Sequence, residues 1–66
     1  MKIEVNGEAR DVADGLTVDA LLSELGLRPE IVAVELNREL VTRARRATTR
    51  IRAGDRIEVV TLVGGG

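Results

Sequence analysis

The sequence of 66 residues contains no cysteine, no histidine and no aromatic residue, and it has a single proline, Pro29. Each absence removes a class of chemistry. Without cysteine there is no disulfide, no thiolate nucleophile and no thiolate metal site. Without histidine the usual general base and the usual metal ligand at neutral pH are missing. Without Phe, Tyr or Trp there is no ring on which a nucleic-acid base could stack. No apolar run approaches the ~20 residues that a bilayer-spanning helix needs. Met1 leads directly into an alternating strand pattern and not into a secretory leader. The expectation is a cytoplasmic protein that is not itself an enzyme, with no catalytic residue, no metal and no bound cofactor. Neither nucleic acid nor membrane is expected as a partner.

What is present is a chain for one small domain. At this length folding buries only about 60% of the surface that the unfolded chain exposes. Lys plus Arg number 10 and Asp plus Glu 11, for a net charge of −1. The charge is uneven: residues 1–37 carry three basic and eight acidic side chains, residues 38–66 seven basic and three acidic. The basic run comprises Arg38, Arg43, Arg45, Arg46, Arg50, Arg52 and Arg56. It reads either as a solvated face that keeps a small domain soluble or as a docking face for an acidic partner.

Met1, Ile3 and Val5 alternate with Lys2, Glu4 and Asn6, the mark of a half-buried strand. Asn6-Gly7 signals a type I′ hairpin turn, because both of its central residues need positive φ. Residues 8–13 return as a second strand with a poor pattern. A two-residue loop would put Glu8, Arg10 and Val12 on the face of Val5, Ile3 and Met1, and only Val12 suits a core; the register stays open. Thr17 caps a helix over about residues 18–25, with Val18, Leu21, Leu22 and Leu25 on one face. Gly26 suits its C-terminal left-handed position and Pro29 blocks continuation. Ile31 to Leu36 reads as a strand, Asn37-Arg38 as a turn and Glu39 to Val41 as a short strand. Residues 42–53 are hard to read; Ile51 is their one large apolar anchor, and a single helical turn near 43–47 is the most they suggest. Ala53-Gly54-Asp55 is a tight turn, and Arg56 to Val63 is the last strand. Ile57, Val59, Thr61 and Val63 lie on one of its faces and Glu58, Val60 and Leu62 on the other.

One helix covers only one face of such a sheet. With the first and last strands paired in parallel at its centre, the fold is α+β, a ubiquitin-like β-grasp with a four- to five-stranded mixed sheet. The domain spans residues 1–63, and residues 64–66 form a flexible glycine tail. Val60 and Leu62 would then make an apolar strip on the open face, joined by Ile31 and Ala33 and rimmed by arginines. That strip is the candidate partner-binding surface.

These residues resemble the ThiS family of sulfur carriers along essentially the whole chain. The resemblance rests on Met1-Lys2-Ile3-Glu4-Val5-Asn6-Gly7-Glu8 for the first hairpin and on Leu16-Thr17-Val18 with Leu21-Leu22 and Leu25 for the helix. It continues through Ala33-Val34-Glu35-Leu36-Asn37, Gly54-Asp55-Arg56-Ile57-Glu58-Val59-Val60 and the ending Val63-Gly64-Gly65-Gly66. Three departures stand out: this chain ends in three glycines where the family needs two, it has Thr42 where the family often has proline before the arginine, and it lacks the aromatics that the family often carries in residues 43–50 and in the last strand. The resemblance implies that an E1-like adenylyltransferase, using ATP and Mg²⁺, activates the carboxylate of Gly66. A cysteine desulfurase relay then supplies sulfur to give a thiocarboxylate, which thiazole synthase consumes in thiamin biosynthesis. The chain would be a co-substrate, monomeric when free, with Gly64 and Gly65 leaving the tail slim enough for a partner's channel and Val60, Leu62 and Val63 contacting the partner. Other readings of the same fold are the small subunit of molybdopterin synthase, a ubiquitin-like modifier and a non-covalent interaction module.

Overall fold

The computed structural model describes residues 1–62. Strand β1 is Lys2–Val5, β2 Glu8–Asp11, β3 Val32–Leu36, β4 Glu39–Val41 and β5 Arg56–Thr61; the helix α1 is Val18–Glu24. The five strands form one sheet in the order β2-β1-β5-β3-β4. β1 and β5 run parallel at its centre, and the other neighbours are antiparallel. This is the β-grasp arrangement.

The first hairpin turns at Asn6 (φ 50°) and Gly7 (φ 82°), the two positive values that a type I′ turn needs. Its register, Val5 opposite Glu8 and Ile3 opposite Arg10, does place Glu8 and Arg10 on the core face. The sheet tolerates them because β2 is an edge strand. Val12, beyond the end of β2, is buried and donates its N–H to the Met1 carbonyl at 2.8 Å.

The Thr17 hydroxyl caps α1 by accepting from the Ala20 N–H at 3.2 Å. At the other end Leu25 is the C-cap, and Gly26 takes the left-handed conformation at φ 70°. The Gly26 and Leu27 N–H groups bond to the Ser23 and Leu22 carbonyls, each at 3.0 Å, a Schellman closure. Val18, Leu21 and Leu22 are fully buried. They meet Ile3, Val5, Val32, Val34, Val41, Ile51 and Ile57 in a wholly aliphatic core.

Three expectations change. β3 begins at Val32, because Pro29–Ile31 forms a 3₁₀ turn; proline at the start of such a turn fixes φ and lacks only a donor that would go unused. Residues 42–53 acquire order from outside themselves. After a 3₁₀ turn at Arg43–Arg45, the carbonyls of Arg46 and Thr49 accept from the Asp19 and Val18 N–H groups, at 3.1 and 3.0 Å. The loop thus satisfies donors that every helix leaves free in its first turn. Thirdly, Arg46 does not belong to a solvated arginine face: it is 4% exposed.

Candidate functional site

β5 is bordered on both sides, by β1 and by β3. Two asparagines fasten it. Asn37 accepts from the Arg56 N–H with its side-chain oxygen at 2.9 Å, at the strand's start. Asn6 extends the parallel pairing one residue past β1. Its amide oxygen accepts from the Val59 N–H at 2.8 Å and its amide nitrogen donates to the Val59 carbonyl at 3.1 Å. At the far end the Leu62 N–H donates to the Ile31 carbonyl at 2.6 Å, so the last described residue is still held to the 3₁₀ turn. From the sequence, Asn6 and Asn37 are visible only as turn formers. Their contacts with β5 span 53 and 19 residues, and no local signal announces them.

The faces of β5 divide as the alternation predicts. Ile57 is buried beneath the helix, while Val60 and Leu62 are 58% and 52% exposed on the opposite face. Val60 pairs with Ala33, and Ile31, beside Leu62, is 38% exposed. The apolar strip therefore exists as a surface. Leu40 is an addition to this face. It lies opposite Glu35 and is 66% exposed. The two-residue turn at Asn37-Arg38 fixes that pairing and is the sequence signal from which it can be derived.

Next to Val60 on the same face is Glu58, and directly across from it is Glu35. Along its own strands the strip is thus edged by two carboxylates, which the expected rim of arginines does not include. Arg56, further down β5, is engaged with Glu4 at 3.3 Å. Like charges placed directly opposite on a sheet destabilise it, and neither carboxylate has an ion-pair partner among the described residues. The helix-side face offers a shallow groove of ≈ 340 Å³ between the end of α1 and the first hairpin, lined in part by Arg10, Leu27 and Thr61. Among the described residues, no group of His, Cys, Asp or Glu is arranged to hold a metal ion. No described helix is long and apolar enough to cross a membrane.

Val63, Gly64, Gly65 and Gly66, the other candidate site residues, lie outside the described residues. What the described chain supplies to them is an anchored strand end beside an open apolar face.

Comparison with known proteins places this architecture. The family model described as "ThiS family" matches residues 3–66. The crystal structure of the thiamine biosynthesis protein ThiS from Geobacter metallireducens superposes with a TM-score of 0.88 at 39% identity, covering 100% of both chains. The thiazole synthase of Paramagnetospirillum magneticum is 44% identical over all 66 residues, and that of Magnetococcus marinus is equally similar. The chain spans only 20% of the length of those two synthases. The uncharacterized protein ycf40 of Porphyra purpurea is 33% identical over the whole chain and 93% of its own length. With the family model matching residues 3–66 and a ThiS structure superposing over the whole chain, the chain belongs to the ThiS family.

Proposed function

We propose that this chain carries sulfur as a thiocarboxylate on Gly66 and delivers it to thiazole synthase in thiamin biosynthesis. An α-carboxylate is ionised at neutral pH and is a poor electrophile. In the proposed cycle an E1-like adenylyltransferase uses ATP and Mg²⁺: a Gly66 carboxylate oxygen attacks the α-phosphorus and pyrophosphate leaves. A persulfide sulfur from a cysteine desulfurase relay then attacks the acyl carbon and AMP leaves. Reductive cleavage of the resulting acyl disulfide by a thiol leaves the thiocarboxylate, whose sulfur thiazole synthase takes up. The chain contributes the terminus and its presentation, and the partners contribute the catalysis.

The observation that carries this reading is the last strand. It is the strand fastened by Asn6, Asn37 and Ile31, and in the sequence only Leu62 and Val63 separate it from Gly64, Gly65 and Gly66. Glycine permits close backbone approach and any φ, so a tail of three can thread a narrow active-site channel. Val60 and Leu62, with Val63 following, form the contact surface in this reading. Their apolar centre and polar edge match the anatomy of a transient protein interface. The carboxylates of Glu35 and Glu58 favour a basic complement on the partner. The likeness of the whole chain to part of two thiazole synthases supports that enzyme as the acceptor.

The test is mass spectrometry after incubation with a cognate adenylyltransferase, ATP, Mg²⁺, a cysteine desulfurase and cysteine. The expected result is a mass increase of one oxygen-to-sulfur exchange on the fragment ending in Gly66. A chain extended beyond Gly66 is expected to fold and not to load. Loading of the extended chain would refute a free-terminus mechanism.

A further inference from the structure

Arg46 is the one charged side chain in the interior of the described residues. Its Nη1 donates to the Pro29 carbonyl and its Nη2 to the Val32 carbonyl, both at 2.8 Å, while its Nε finds no partner. Burying a guanidinium that is only partly satisfied is costly, and an apolar side chain of similar volume often gives an equal or more stable fold. Stability alone therefore does not account for an arginine at this position. Its two contacts have a specific placement. They bracket Ile31, whose own carbonyl receives the Leu62 N–H at 2.6 Å. The Arg46 backbone carbonyl meanwhile accepts from the Asp19 N–H at the start of α1. A single residue thus links the helix start to the 3₁₀ turn that holds the end of β5.

We propose that Arg46 is a positioning residue for the end of β5: by clamping Pro29 and Val32 it fixes the Ile31 carbonyl, and through it the anchor of Leu62. The bracketing matters because a 3₁₀ turn is short and its hydrogen bonds are poor. Within Pro29–Ile31 the backbone bond is Ile31 N–H to the Arg28 carbonyl at 3.2 Å. Without the guanidinium the turn keeps its proline but loses the two contacts that prevent it from rocking away from β5. The consequence for sulfur loading rests on the carrier function proposed above; the consequence for the Leu62 hydrogen bond does not.

The test uses the full chain with Arg46→Met, which keeps the volume and removes both contacts, and Arg46→Lys, which keeps the charge and can reach one carbonyl. Amide hydrogen exchange and the scalar coupling across the Leu62–Ile31 hydrogen bond are measured alongside denaturant stability. Loss of this single anchor is expected to speed Leu62 exchange in Arg46→Met by about five- to tenfold relative to the Leu21 and Leu25 amides of the helix. Arg46→Lys is expected to fall between Arg46→Met and the parent. In the loading assay the expected change is a several-fold rise in KM for the carrier with kcat nearly unchanged. Leu62 exchange that is unaltered, or that accelerates only in step with the helix amides in both variants, would overturn the proposal. Failure of the parent chain to load sulfur would instead refute the carrier function and leave the exchange result standing.

Discussion

The division of the sheet into a core face and an open face, the latter proposed as the docking surface, predicts opposite outcomes for one substitution made at two places. Val34 on β3 is fully buried, and Val60 on β5 is 58% exposed on the other face. Valine to threonine keeps the β-branched shape and replaces a methyl with a hydroxyl. In Val34→Thr that hydroxyl sits in an aliphatic core that offers it no side-chain partner. Leaving it unsatisfied costs about 1–3 kcal/mol. In a domain of this size each kcal/mol lowers Tm by roughly 4–8 °C, so a fall of at least ~4 °C is expected. In Val60→Thr the hydroxyl stays hydrated, and the stability change should remain within about 0.5 kcal/mol. The order reverses on binding. In the proposed interface the hydroxyl introduced by Val60→Thr would have to shed its water without a designed partner, and the affinity for the proposed adenylyltransferase partner should fall by about 1–2 kcal/mol, roughly five- to thirtyfold. Thermal melts and titration calorimetry measure both arms. Equal losses of Tm would show that Val60 does not face solvent. An unchanged affinity in Val60→Thr would remove the strip from the docking surface.

Two further outcomes follow from the contacts around β5. Asn6→Ala loses both bonds to Val59 and leaves a β-carbon-bearing residue without polar compensation at φ 50°; a loss of roughly 2 kcal/mol is expected, with Val59 amide exchange accelerating more than the helix amides. Glu58→Gln removes one of two facing carboxylates and should raise stability by a few tenths of a kcal/mol at low salt, an increment that fades as salt is added. The same change should weaken binding to a basic partner, and a partner that binds the variant more tightly would show that the complement is not basic.

The parts of the fold that are legible in the sequence are those specified locally. Thr17, the spacing of Val18, Leu21 and Leu22, and Gly26 state the helix and both its ends within ten residues. Asn6-Gly7 and Asn37-Arg38 state two hairpins, and the alternation from Arg56 onwards correctly assigns Ile57 to the core and Val60 and Leu62 to the open face. The pattern of β2 is obscure because Arg10 lies on the core face of an edge strand, where a long side chain can rest its stem on apolar neighbours. Ile31 reads as strand because a β-branched residue before an alternating run carries the same signal in a strand and in the turn before it.

The loop that follows β4 shows why the remainder could not be read. Among Arg43, Arg45, Arg46, Arg50 and Arg52 no neighbour distinguishes the one that goes inside. Its selection depends on Pro29 and Val32 presenting carbonyls 17 and 14 residues away. The Val32 carbonyl is available because the pairing with β4 ends at Val34, and the Pro29 carbonyl because the 3₁₀ turn is too short to use it. The acidic edge of the exposed apolar strip is hidden for a related reason: Glu35 meets Glu58 only through the β3–β5 register. A shift of one residue would turn Val34 and Ile57 out of the core, so the aliphatic residues set the register and the two carboxylates are brought together as its consequence. Facing carboxylates beside an exposed apolar strip weaken the free domain slightly, a cost that a basic complement on a partner would offset in the proposed complex.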